Sequence, residues 1–475
     1  MANETFRQVP RTGVVYVIQE ASRLGFFRGS TDWVNFGQGQ PQTDFIEGGV
    51  ERITNIPVSD ADNEYAPVSG LPELRQAIAN YYNQTFRKDK ESKYSSKNVS
   101  VVSGGRLALA RLAASLGNIN LGHFVPDYTA YEELLATFNR FNPIPILLDP
   151  EKGYSFTTND LRREVQGRGL GAVLVSNPCN PTGKTIKGKA LKDWVGIGRE
   201  FDCYMLMDEF YSSYVYSGIR LDETLSAAKY VNDVNADPVV ILDGATKNWR
   251  YPGWRISWIV GPEHVIESVT SAGSFLDGGA CRPVQRAVIP LLNPAMMKQE
   301  TAALKANFRA KRRIMLDGLQ KLGVTFEREP DGAFYAWGNV SALPDSINTG
   351  MKFFRAALEE QVIVVPGEFF DVNPGKRRGK SSSRFNQHLR FSYGPDIEVI
   401  KDGIQRLLEP CPIRTLADLH EWRRLRKWAI DEGLLEEYRD QDYFRRRDEI
   451  TKNQLVPENP RSIFSRFWNC LFPKQ

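Results

Sequence analysis

Short, uninterrupted apolar runs alternate along the chain with stretches whose apolar residues recur every three or four positions. The runs are VSVVSG at 99–104, AVLVSNP at 172–178, YMLMDE at 204–209, VVILDG at 239–244 and WIVGP at 258–262. Runs that stay apolar without alternation fit strands buried on both faces, as in a parallel sheet covered by helices. The segments between them, LKDWVGIGREF among them, carry the spacing of crossover helices. The pattern therefore predicts an α/β sheet domain over about 70–290. Ligands of such sheets bind beyond the carboxyl ends of the strands, where the runs close on small or polar residues. A smaller α+β unit is predicted over about 300–410, opening with the helix LKANFRAKRRIMLDGLQKLG and containing strand-like FYAWGNV and HLRFSYG. GKRRGKSSSRFNQ at 375–387 has the Gly, Ser and charge content of a surface loop. From Cys411 the chain turns strongly charged, and Leu419, Trp422, Leu425 and Ala429 recur with the period of an amphipathic helix.

Composition narrows the class. The 475 residues are 41% apolar and 25% charged, an ordinary globular balance that excludes disordered, collagen-like and coiled-coil chains. Lys and Arg number 61 against 57 Asp and Glu, and a net charge of +4 is too small for a nucleic-acid footprint. The five cysteines (Cys179, Cys203, Cys281, Cys411, Cys470) form no CxxC pair, so neither a disulfide framework nor a thiolate metal site is expected. The four histidines (His123, His264, His388, His420) share no metal-ligand spacing. No segment reaches the roughly 18 apolar residues that cross a bilayer. A cytoplasmic, metal-free protein with neither nucleic-acid nor membrane partners is expected.

Candidate chemistry gathers at the ends of the runs. In DGATKNWRYPGWRISW, Lys247 lies just past the VVILDG strand on a Gly-containing turn. A lysine in that setting can be desolvated and act as an amine nucleophile towards an aldehyde, with Arg255 offering a bidentate fork for a phosphate; an ordinary surface lysine is the alternative. Asp208 closes the YMLMD run, where it could hold a pyridine nitrogen protonated or cap a following helix. Tyr211 follows it as a site phenol or a core residue. In NPCNPTGK, Asn180 precedes Pro181 and is pushed into an extended conformation, leaving its amide for a phenolic oxygen, or else the segment is a turn with Thr182 as a helix cap. Ser103, Gly104, Gly105 and Arg106 fall between a strand and a helix, where backbone N–H groups can meet a phosphate.

Taken together and in this order, these segments resemble the class I/II aminotransferases, pyridoxal-phosphate enzymes of the aspartate-aminotransferase fold (fold type I), over roughly residues 30–405. The resemblance implies a large domain with a mostly parallel seven-stranded sheet, an N-terminal arm at 1–60, a cofactor domain at 61–295, a small α+β domain at 296–410 and a charged extension at 411–475. It implies that Lys247 holds pyridoxal 5′-phosphate as a Schiff base and shuttles a proton, that Asp208 pairs with the pyridine nitrogen, and that Asn180 and Tyr211 contact the ring oxygen. Gly105, Arg106 and Arg255 resemble the phosphate cradle, and Tyr128, in PDYTAY, the residue that stacks on the ring. EYAPVSGLPELR resembles the element whose tyrosine, here Tyr65, reaches the neighbouring subunit's phosphate, which implies a homodimer. Gly39, in NFGQGQP, and Arg390, in HLRFSYG, match contacts to the substrate carboxylate. The chain departs from the pattern at Gly244, where many members place a serine.

The implied reaction is transamination between an L-amino acid and a 2-oxo acid, because a delocalising ring makes the weakly acidic α-proton removable. Elimination, γ-replacement or cyclisation on the same fold is the alternative; an inactive scaffold would be expected to lose Lys247, Asp208 or Arg390, and all three are present. Phe36, Phe45 and Tyr131 permit an apolar substrate side chain, and Gln38 and Gln40 a polar one. The segment SIFSRFWNCLF, with Cys470, is expected to pack back on the protein, or else to bind a partner.

Overall fold

The computed structural model describes residues 9, 11, 13–376 and 383–408. The expected amphipathic helix after Cys411, the segment with Cys470 and part of the predicted loop at 375–387 lie outside the described residues. Met1–Ile404 forms one compact unit. A second unit runs from Gln405, and only its first residues, Gln405–Leu408, are described, as helix.

The strands of the described residues are β1 (Val34–Asn35), β2 (Val99–Val102), β3 (Asn120–Val125), β4 (Asn142–Leu147), β5 (Leu170–Ser176), β6 (Tyr204–Asp208), β7 (Val239–Gly244), β8 (Ser257–Val260), β9 (Tyr335–Asn339), β10 (Val362–Ile363), β11 (Val365–Pro366) and β12 (His388–Ser392). Seven of them make one sheet in the order β2-β8-β7-β6-β5-β3-β4. Its pairings are parallel from β7 through β4, and β8 alone runs against its neighbours β7 and β2. Each of the five apolar runs becomes a strand here, and β2, β7 and β8 are buried at every residue, as a sheet covered on both faces requires. β3 and β4 carry no such run. Asn, Gly and His interrupt β3, and β4 has two prolines at the sheet edge, where a missing N–H costs no ladder bond.

Two smaller sheets bring distant chain segments to the same place. β11, β12 and β9 form an antiparallel sheet in which Arg390 pairs with Trp337 and Val365. β1 pairs in parallel with β10, and the Ser392 N–H donates to the Phe36 carbonyl at 2.8 Å. The loop after β1 is thereby laid beside Arg390. The long helix predicted to open the smaller unit spans Pro294–Leu322; Asn293 caps its start and Gly323, at φ 97°, ends it.

The helix Gly105–Ser115, whose N-terminus faces the site, packs on the helix Glu263–Leu276. A buried ion pair ties the two: the Arg111 guanidinium donates to both carboxylate oxygens of Asp277, to the Val68 carbonyl at 3.0 Å and to the Ser100 hydroxyl at 3.4 Å. Removing one member of such a pair strands the other charge in the interior. Arg111→Met is expected to cost about 3–5 kcal/mol in urea unfolding; a loss below about 1 kcal/mol would show that the pair does not anchor the helix.

Candidate active site

β5, β6 and β7 end side by side, with Ser176 paired to Asp208 and Asp208 to Leu242. The loops leaving these ends carry Asn180, Tyr211 and Lys247 into one cavity of about 1420 Å³. Its walls also include Gly39, Gly105, Arg106, Tyr128, Asp208, Arg255 and Arg390. Of the residues that the family resemblance assigns to cofactor and substrate, Tyr65 alone is not on this wall; it is 97% exposed.

Lys247 reaches into this cavity half-buried. Its ammonium donates to the Gly39 carbonyl. Burial, and then the nearby charges of Arg390, Arg255 and Arg106, bring its pKa down from 10.5 to about 7, against the opposing pull of Asp208. Neutral amine is thus present near neutral pH, as a nucleophile or proton acceptor requires. Asp208 shifts the other way, up from 3.8 to about 6, because burial outweighs the hydrogen bond from Tyr131, the Phe210 N–H and Lys247. The alternative of a helix cap falls away: Asp208 is followed by turns, and its own carbonyl accepts from the Asn177 N–H at 2.9 Å.

Arg390 is 1% exposed and held on two sides, donating to Asn180 Oδ1 at 2.9 Å and to the Gly37 carbonyl at 2.6 Å. Its guanidinium lies 4.3 Å from the Tyr335 ring centroid and 5.0 Å from that of Phe370, and its Nε has no hydrogen-bond partner. The Tyr211 and Tyr335 hydroxyls pair at 2.6 Å. Across the cavity, Gly104 ends β2's turn at φ 93° and a Cβ there would run into the Arg255 guanidinium, so glycine lets the arginine lie against the start of the helix Gly105–Ser115. Arg106 donates its Nε to the Tyr128 hydroxyl at 3.3 Å.

Sequence reasoning missed Tyr335 and gave Tyr131 a different role. Tyr131 is fully buried and absent from the cavity wall; its hydroxyl donates to Asp208 Oδ2 at 2.5 Å. It supports the carboxylate and is no wall for a substrate side chain. Its position one helical turn after Tyr128 is the only sequence signal. Tyr335 sits on β9 in an apolar strand pattern that does not tell which face meets Tyr211. Phe36 is fully buried and Phe45 is 58% exposed, and neither lines the cavity, whereas Gln38 and Gln40 do. Thr182 is no helix cap, since the next helix starts at Gly188. Among the described residues no cluster of His, Cys, Asp and Glu could hold a metal ion, and no helix is long and apolar enough to cross a membrane.

A half-buried amine and a buried carboxyl at the carboxyl edge of a mostly parallel sheet, with an arginine from a second sheet in the same cavity, accord with the fold type I class to which the fold belongs. Residues 31–407 match the family Aminotransferase class I and II, and the chain belongs to that family. It is 27% identical over 396 residues to the aspartate/prephenate aminotransferase of Thermus thermophilus, covering 82% of this chain and 94% of that one. It is 25% identical over 384 residues to a probable aspartate/prephenate aminotransferase of Aquifex aeolicus, covering 79% and 90%. The fold matches the aspartate aminotransferase from Thermus thermophilus solved with maleate at a TM-score of 0.68, with 24% identity, over 85% of this chain and 99% of that one. The protein is an aminotransferase, and its relatives do not favour elimination or cyclisation.

The Lys247 shift has a measurable consequence in the cofactor-free protein. Because the folded-state pKa of about 7 lies below the ordinary 10.5, the unfolded chain binds more protons between those values, and stability rises with pH across that window. Asp208, raised to about 6, acts oppositely and only between about pH 4 and 6. The melting temperature of the wild type is expected to climb relative to Lys247→Met from about pH 7 to 10; parallel curves would refute the burial of a low-pKa amine.

Proposed function

We propose that the protein moves the amino group of an L-amino acid to a 2-oxo acid, with pyridoxal 5′-phosphate held at Lys247. Support comes foremost from Lys247 itself: a half-buried amine, about 7 in pKa, in one cavity with the Asp208 carboxyl and the Arg390 guanidinium. Members of the family use this cofactor, and the residues present fit it. The N–H groups at the start of the helix Gly105–Ser115, with the Arg255 guanidinium against Gly104, suit a phosphate. Asp208 suits a protonated ring nitrogen, Tyr128 the ring face, and Tyr211 with the Asn180 amide the ring oxygen.

When bound, the cofactor supplies an electron sink for the charge left on the substrate Cα. The chain's own residues then divide the remaining tasks. Arg390, already fixed by Asn180 and Gly37 and with Nε unpartnered, clamps the α-carboxylate near Gly39 and so orients the Cα–H bond. The Lys247 amine takes the proton from Cα and returns it. Asp208, backed by Tyr131, holds the positive charge that it faces, and the Tyr211–Tyr335 hydrogen bond fixes the Tyr211 hydroxyl at the cavity wall. Gln38 and Gln40 line the cavity, which suits a substrate with a polar side chain. The exposure of Tyr65 supports its reaching the neighbouring active site of a homodimer. Within the compact unit Met1–Ile404, the separate sheets of β2–β8 and of β9, β11 and β12 support a cofactor domain at 61–295 and a small domain at 296–410.

Borohydride treatment of the reconstituted protein followed by peptide mass spectrometry is expected to place a phosphopyridoxyl label on Lys247; a label on another lysine would overturn the assignment. Arg390→Lys loses the bidentate fork, and the KM for the amino donor is expected to rise about 100-fold with a smaller fall in kcat. An unchanged KM would remove Arg390 from the carboxylate site.

A further inference from the structure

β8 begins at Ser257, and because it runs against its neighbours this first residue lies at the same sheet edge as the ends of β2 and β7. Ser257 pairs with Val102 on one side and Gly244 on the other. Val102 leads through Ser103 and Gly104 into the helix start at Gly105, Gly244 leads through Ala245 to Thr246 and Lys247, and Arg255 lies two residues before Ser257. The groups suited to a phosphate thus radiate from the strand ends that flank Ser257.

Two hydroxyls at this junction are anomalous. Ser257 is fully buried and its Oγ has no hydrogen-bond partner; Thr246, which lines the cavity, is 8% exposed and its Oγ1 has none either. A buried, unsatisfied hydroxyl carries a desolvation penalty that nothing offsets, and native interiors rarely keep one without a use. Gly244 makes room for the first: a Cβ there would lie 2.5 Å from Ser257 Oγ and 2.6 Å from Ser257 Cα, so the Ser257 hydroxyl occupies the space that a side chain at position 244 would fill.

We propose that the Ser257 and Thr246 hydroxyls are two donors of the anion site, completing the cradle of Gly105, Arg106 and Arg255 around the cofactor's phosphate. The assignment rests on the cofactor reading above and deepens it. It gives both orphaned hydroxyls an acceptor, and it makes the glycine at 244 a condition for the serine at 257.

The test is binding to the cofactor-free full-length chain. Inorganic phosphate is expected to raise the wild-type melting temperature, and equilibrium dialysis to show pyridoxal phosphate bound. Ser257→Ala and the isosteric Thr246→Val are each expected to weaken pyridoxal phosphate binding about 10-fold and to blunt the phosphate-induced rise, while Thr246→Ser retains both. Without ligand neither variant should melt lower than the wild type, since each removes an unsatisfied group. Equal affinity in wild type and variants would overturn the inference, as would a lower ligand-free melting temperature at unchanged affinity, which marks a structural role. A wild type that binds neither probe would overturn the cofactor reading itself.

Discussion

Keeping the Lys247 amine and the Asp208 carboxyl out of water penalises the charged form of each, and the surroundings of both follow from that cost. The parallel ladder between β6 and β7 sets the two groups on neighbouring strand ends. Burial drives their proton affinities towards one another, the amine down to about 7 and the carboxyl up to about 6. Three arginines nearby add to the shift on Lys247, and the Tyr131 hydroxyl tempers the shift on Asp208. Lys247 is thereby not locked in its charged form at neutral pH.

The arginines could not share this cavity unless each were tied down elsewhere. Arg390 is held by Asn180 and Gly37, contributions from β5's loop and the N-terminal segment, and is sandwiched by Tyr335 and Phe370. Arg255 lies in the gap left by Gly104. Arg106 leans on the Tyr128 hydroxyl. Like charges are thus fixed around one cavity by neighbouring groups of the chain.

Legibility in the sequence followed burial. The strands that read as apolar runs, β2, β5, β6, β7 and β8, lie together in the sheet, where both faces are covered and no polar alternation is needed. β3 and β4 stayed hidden because β4 is an edge strand with prolines and an exposed side, and β3 is interrupted by Gly122 and His123. Residues at strand ends were also legible, since a polar group closing an apolar run stands out. The contacts of Tyr131 and Tyr335 were not: nothing local says that their hydroxyls meet Asp208 or Tyr211.

The chain's order of residues alone determined the α/β class, the residue types at each strand end and hence the kind of chemistry, because these depend on local pattern and on what a side chain can do. Tertiary structure decided which of those ends meet. It laid the loop after β1 beside Arg390 through the β1–β10 pairing, turned Tyr131 from a substrate wall into a support for Asp208, and left the Ser257 and Thr246 hydroxyls without partners at one sheet edge. Proton affinities belong to the same category: a lysine titrates near 7 only after the fold has removed its water and set three guanidinium groups around it.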